Sequence, residues 1–196
     1  MTKTVPCLII TLLLISLMTS GCIEIKDDPE GLTALEGIDL AEEVASNWSE
    51  NAVLVYVGKS GSMVSGGVYS RWGYRYAASS NVSNSVEQIG IAVNADMTYT
   101  IREFEGTLHH HPIYNWNIDS DEAYETAKDN DQIQEFFSKY ERTDVERFTL
   151  FGGEGDSDPT WKIHWSYSGG IFGDPVHAEI RINARTSEVI EVDADE

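Results

Sequence analysis

The chain matches itself at a constant offset of 89 residues. Trp72-Gly73-Tyr74-Arg75-Tyr76 falls on Trp161-Lys162-Ile163-His164-Trp165, and Ile91-Ala92-Val93-Asn94-Ala95 falls on Ile180-Arg181-Ile182-Asn183-Ala184. The same offset pairs Thr98 with Ser187 and Ile101 with Ile190. Upstream it pairs Val44 with Ile133, Trp48 with Phe137 and Tyr56 with Val145. An offset held across separate segments implies two copies of one structural unit. Alternation common to all strands would not also repeat the Asn-Ala pair and the tryptophan spacing.

Each copy reads as helix first and strands after. In the first, Ile38, Leu40, Ala41, Val44, Ala45 and Trp48 recur at helical spacing, with Gly37 and Asp39 as start signals. Strands are expected at Val53 to Val57, Val68 to Ala77, Val86 to Asn94 and Thr98 to Phe104, with a hairpin turn at Asn94-Ala95-Asp96. In the second copy Asp119 precedes Glu122 by three residues, a capping-box-like start, and Ala123 and Ala127 share a helical face. Asp129-Asn130-Asp131 breaks this helix before a second apolar stripe of Ile133, Phe136, Phe137 and Tyr140. Strands follow at Arg147 to Phe151, Thr160 to Ser168, Val176 to Asn183 and Val189 to Val192. The expected fold class is α+β: two tandem units, residues 37–106 and 118–196 about a connector 107–117, each a helix or broken helix packed on an antiparallel β-sheet. The aromatic stripes Trp72, Tyr74, Tyr76 and Trp161, Ile163, Trp165 are expected on the packed faces of two such sheets.

The second copy resembles the PepSY domain family. The resemblance rests on Ile118-Asp119-Ser120-Asp121-Glu122-Ala123, on Thr160-Trp161-Lys162-Ile163, and on Ile182-Asn183-Ala184-Arg185-Thr186-Ser187-Glu188-Val189-Ile190. Members show an acidic helix start before an Ala, a strand with Trp, and a closing hairpin of the type acid-Ala-x-Thr-Gly-Glu-Val. Here Ser187 stands where the family usually has Gly, and Asn183 where an Asp is common. The resemblance implies a restraining or binding unit, as in the propeptides of secreted peptidases and in free-standing envelope proteins. It implies no catalytic residues.

The N-terminus indicates where such a unit works. Lys3 precedes the apolar run Leu8 to Met18, which is shorter than the roughly 20 residues of a membrane span and suits a signal-peptide core. Thr19-Ser20-Gly21 then leads to Cys22, as in a lipobox, although Thr19 replaces the usual Leu. The expectation is a signal peptide over 1–21, a lipid on Cys22, and a tether over 22–36 that holds the protein on the outer side of the cell membrane. The only other cysteine, Cys7, lies within the signal segment, so the mature chain has no disulfide framework. The formal net charge of −20 repels nucleic acid, which is discounted as a partner. The partners expected are the membrane, through the lipid, and a protein or peptide.

Sites for chemistry are few. His109-His110-His111 is the one eye-catching cluster; in an extended segment His109 and His111 point the same way. His164 and His177 are distant from it in sequence. No Gly-x-Ser-x-Gly elbow occurs, and Gly152-Gly153-Glu154-Gly155 lacks the Lys-Ser/Thr of a phosphate loop. Asn47-Trp48-Ser49 and Asn81-Val82-Ser83 are glycosylation sequons, Asn81 being the better placed. The reading is a non-enzymatic, membrane-anchored extracytoplasmic binding or regulatory module that restrains a peptidase or binds peptide. No cofactor, catalytic residue or metal ligand is assigned. The alternative is a metal-handling lipoprotein using the acidic surface and His109-His111.

Overall fold

The computed structural model describes residues 31–79, 85–140, 143–153, 157–168 and 175–195. The signal segment, Cys22, most of the tether and Asn81 lie outside them. Three helices are described: α1 (Ile38–Trp48), α2 (Ser120–Lys128) and α3 (Asp131–Lys139). The strands are β1 (Val53–Lys59), β2 (Met63–Ser65), β3 (Val68–Tyr69), β4 (Arg71–Ala77), β5 (Ser85–Asn94), β6 (Tyr99–Thr107), β7 (Asp144–Phe151), β8 (Thr160–Tyr167), β9 (Val176–Asn183) and β10 (Val189–Ala194). The fold is α+β.

Eight strands form a single antiparallel sheet in the order β10-β9-β8-β7-β1-β4-β5-β6; β2 and β3 form a separate hairpin. Two sheets are expected from the sequence, and one is found. The reason lies in β1 and β7. Each would be an unpaired edge in a separate unit, a row of unsatisfied backbone groups. They pair with each other instead, Tyr56 with Phe151, Val57 with Leu150 and Gly58 with Thr149.

Local sequence explains the helices. In α1 the small Ala41 and Ala45 are buried, so the helix lies close on β4 and β5, with Ile38, Val44 and Trp48 packed beside them. Asp119 caps α2 by accepting from the Ser120 N–H at 2.6 Å; this is a simpler cap than the reciprocal box. The break at Asp129-Asn130-Asp131 is real, and Asn130 caps α3 through the N–H groups of Gln132 and Ile133. Ala123, Ala127, Ile133 and Phe136 are the buried face of this broken pair.

Trp72, Tyr74, Tyr76, Trp161, Ile163 and Trp165 all face the helix side and are buried. Their placement differs from expectation in that all six share one sheet. Trp165, not Trp161, packs against Tyr124 of α2 and Phe137 of α3. Trp72 and Trp161 meet each other and Phe148 at the centre of the sheet. They are covered by the segments that precede the helices. The Trp72 indole N–H donates to Leu32 O at 2.9 Å, and that of Trp161 to Ile118 O at 2.7 Å.

Residues 32–34, read from the sequence as part of the tether, are therefore buried, Leu32 and Ala34 within the core. Leu32 and Tyr69 exchange backbone hydrogen bonds, and Tyr74 OH donates to Ala34 O at 2.7 Å. Ala34 N–H donates to Ser120 Oγ and Leu35 N–H to Asp119 Oδ1. Ser120 Oγ in turn donates to Gly67 O at 2.7 Å, which seats the β2–β3 hairpin on the start of α2. Gly67 has φ +73 and a Cβ there would collide with Ser120 O, so only glycine fits.

The register of the halves runs in step. Trp72 pairs with Val93 and Trp161 with Ile182. A bulge falls between Leu54 and Tyr56 in β1, and between Val145 and Arg147 in β7. Met97 and Ser187 both take left-handed φ, 60° and 61°, in the hairpin turns. The strict offset nevertheless slips at both ends. Tyr56 faces Arg75 and Arg147 faces His164, so Arg147, not Val145, is the register counterpart of Tyr56. The second turn is longer, closing Asn183 N–H to Glu188 O where the first closes Asn94 N–H to Thr98 O. Ile91 consequently pairs with Ile101, while Ile180 pairs with Val192 and not with Ile190.

Candidate functional site

The sheet face away from the helices is open, and register lays its side chains out in rows. One row runs Thr149, Gly58, Gly73, Ala92 and Thr100 across β7, β1, β4, β5 and β6. The next runs Phe151, Tyr56, Arg75, Gly90 and Arg102 over the same strands. Small residues so placed leave a trough of about 640 Å³ floored by Gly73, Gly90 and Ala92, with Tyr56, Arg75, Arg102 and Phe104 along its sides.

The backbone does not require glycine at 73 or 90. Neither has positive φ. A Cβ at Gly73 would come no closer than 3.5 Å, to Gly58 O, and one at Gly90 no closer than 3.7 Å, to Arg102 O. Both are ordinary contacts. Glycine inside a strand costs roughly 0.5–1 kcal/mol relative to alanine. What the two glycines provide in return is the empty space of the trough.

Arg75 is held by aromatic rings. Its guanidinium carbon lies 5.0 Å from the Tyr56 ring centroid and 5.5 Å from that of Phe104, within cation–π range. Burial raises the Tyr56 phenol above its ordinary pKa, against the lowering effect of the Arg75 and Arg147 charges. Among the described residues neither Arg75 nor Arg102 forms an ion pair. Six of the chain's thirteen lysines and arginines, namely Arg71, Arg75, Arg102, Arg147, Lys162 and Arg181, stand on this face. The same face also carries Asp144, Glu179, Glu191 and Asp193 in the second half, so the positive charge left without an ion-pair partner among the described residues is that of the first half and of Arg147.

In the second half the same rows are filled. Lys162 reaches Glu179 at 2.7 Å, and Arg181 bridges Glu179 at 3.4 Å and Glu191 at 2.9 Å. Burial pushes the Glu179 carboxyl up, but the hydrogen bond and charge of Lys162, with Arg181 and His164, outweigh it and hold the group ionised below the usual range. Charge is neutralised locally here, while in the trough, which Glu105 also lines, Arg75 and Arg102 form no ion pair among the described residues.

The connector packs on the same face beside the trough, against Tyr56 and Phe151. Leu108 is buried on this face with Val55 and Ala77. The His110 ring lies 6.0 Å from Tyr56 and 6.1 Å from Phe151. Burial lowers the His110 pKa from 6.5, and the charges of Arg75, His109 and His111 lower it further. His111 bridges to Gly152, and Ile113 N–H then donates to Leu54 O. The chain so passes round the end of the sheet, where Trp116 packs on Trp161.

The His109-His111 run is therefore divided: His109 is exposed, His110 is wedged against rings, and His111 is held by its backbone. Among the described residues the one group of three side chains able to share a metal ion is Glu146, His164 and His177, none of it in that run. Sequence reasoning missed this group. The available signal was His164 itself, which must face away from Trp161, Ile163 and Trp165 by strand alternation. No protein-family model matches the chain, nor does any curated protein or any solved structure.

Proposed function

We propose that the chain is a non-enzymatic binding module, anchored outside the cell by a lipid on Cys22, built from two PepSY-like units, and holding an extended acidic peptide segment in the trough beside Arg75. The shared registers, the matching bulges in β1 and β7 and the matching left-handed turns support duplication of one unit. The observation that carries the binding reading is the guanidinium of Arg75, held between Tyr56 and Phe104 over a floor kept empty by two dispensable glycines.

The dimensions suit a peptide. The lining comes from the four strands β1, β4, β5 and β6; at about 4.8 Å spacing they span about 14 Å, the length of roughly four extended residues. Carboxylates on such a segment would meet Arg75 and Arg102, and aromatic or aliphatic side chains would meet the Tyr56 and Phe104 rings. The partner is a segment of another extracytoplasmic protein, a secreted peptidase being the kind that the PepSY resemblance brings forward. Binding it would restrain or position that protein at the membrane surface.

The test is isothermal titration of the full chain with an acidic decapeptide and with its Asn/Gln counterpart. The acidic peptide should bind at least tenfold more tightly, and Arg75→Gln should remove most of that difference. Equal binding of the two peptides would overturn the charge reading, and no binding of either would overturn the trough. Cys22→Ser should release the protein from membranes; an intact-mass measurement on membrane-extracted protein showing no lipid on Cys22 would overturn the anchor.

A further inference from the structure

Next to the ion-paired lattice of the second half lies a group that the peptide reading does not use. Register brings it together from three strands. His164 of β8 faces Arg147 of β7 on one side and Glu179 of β9 on the other, and Ser166 of β8 faces His177. The bulge between Val145 and Arg147 turns Glu146 toward the same spot. The Glu146 carboxylate lies 3.2 Å from His164 Nε2, and the His164 and His177 rings are 5.0 Å apart at 31°. One ligand atom from each of Glu146, His164 and His177 falls within 4.8 Å of the other two.

We propose that Glu146, His164 and His177 form a binding site for a divalent transition-metal cation, with Zn²⁺ as the reference ion. Two imidazoles and one carboxylate are a donor set that zinc takes readily, leaving a fourth position for water or an outside ligand. Tetrahedral ligands about 2.0–2.1 Å from zinc stand roughly 3.3 Å apart, so small side-chain rotations close the present group around an ion.

Two further observations point to a ligand here. His177 Nδ1 is buried with no hydrogen-bond partner among the described residues, an unsatisfied nitrogen on a ring that packs against the second histidine. Its main chain is pinned on both sides by Asp195, whose side chain accepts from the His177 N–H at 2.7 Å and whose N–H donates to His177 O. The second observation is that His164 already has an orienting carboxylate. Glu179 Oε2 lies 3.5 Å from His164 Nδ1, and Lys162 and Arg181 fix Glu179 in turn. A carboxylate on one imidazole nitrogen, with the other nitrogen free to ligate, is how metal-binding histidines are commonly held. Glu146 is the most exposed of the three, with 46% of its side chain accessible, and gives the ion its route in from solvent.

The experiment is titration of the full chain, made without a polyhistidine tag, with ZnCl₂, and in parallel with Co²⁺ followed by visible absorption. One equivalent should bind, and the cobalt form should show the intense bands of a four-coordinate site. His164→Ala and His177→Ala should each weaken binding by at least tenfold, and Glu179→Gln by about 10–100-fold through lost orientation. His109→Ala with His111→Ala should leave it unchanged. Unfolding curves of the metal-free variants show that each is folded, and Glu146→Gln supplies a mild substitution if a histidine variant is not. Binding that survives His164→Ala and Glu146→Gln, or that is lost in the His109/His111 variant, would overturn the site, as would no binding at all.

Discussion

The indole rings of Trp72 and Trp161 meet 6.0 Å apart and steeply tilted, at the join of the two halves of the sheet. Neither ring has any accessible surface, and Phe148 packs edge-on to both. Replacing either by alanine should cost about 3–5 kcal/mol, as for other large core aromatics. Because the rings touch, the double variant should depart from additivity by roughly 0.5–3 kcal/mol. Because β1 and β7 join the halves, urea unfolding of each single variant should stay a single transition. Two separate transitions would show that the halves unfold independently.

Tyr74 and Tyr76 lie side by side on β4, both buried, with different polar environments. Tyr74 OH donates to Ala34 O at 2.7 Å, whereas Tyr76 OH is buried with no hydrogen-bond partner among the described residues. Tyr74→Phe should cost about 1–3 kcal/mol, since it leaves a buried carbonyl unpaired. Tyr76→Phe should be neutral within about 0.5 kcal/mol or stabilising, since it removes a buried group that gains nothing. Chemical denaturation of the two variants compares them directly, and equal losses would contradict the assignment.

His110 makes stability depend on pH. Burial, then the charges of Arg75, His109 and His111, depress its folded pKa below 6.5. A depressed histidine favours the folded state fully above its unfolded pKa and loses that contribution as pH falls toward the folded pKa. The urea midpoint should therefore fall below about pH 6.5, and His110→Gln should flatten this part of the profile. A variant with the same pH dependence as the parent would place the effect elsewhere.

Most elements were legible because they are written in local periodicity. The α1 stripe from Ile38 to Trp48, the break at Asp129-Asn130-Asp131 and the alternating aromatics of β4 and β8 each lie in one short segment. What escaped depends on pairing between distant segments. Nothing in Val53 to Val57 announces that β1 will pair with β7, and Leu32 to Glu36 looks like a polar tether until Trp72, Tyr74 and Ser120 supply its hydrogen bonds. The sites escaped for the same reason. Gly73 and Gly90 read as weak points in strands until register sets them on neighbouring rows, and Glu146 reaches His164 only because a bulge turns it. The hairpin turn at Ser187, where the resembled family has Gly, forms with Ser187 itself in the left-handed region.

The claim that the trough is kept open for a ligand is tested most directly at Gly90. A Cβ there meets only ordinary contacts, so Gly90→Leu should fold as well as the parent or better, while its side chain fills the space between Arg75 and Arg102. Unfolding curves and acidic-peptide titrations on the same preparation give both readings. The account predicts unchanged or higher stability together with at least a tenfold loss of peptide affinity. Unchanged stability with full affinity would contradict it.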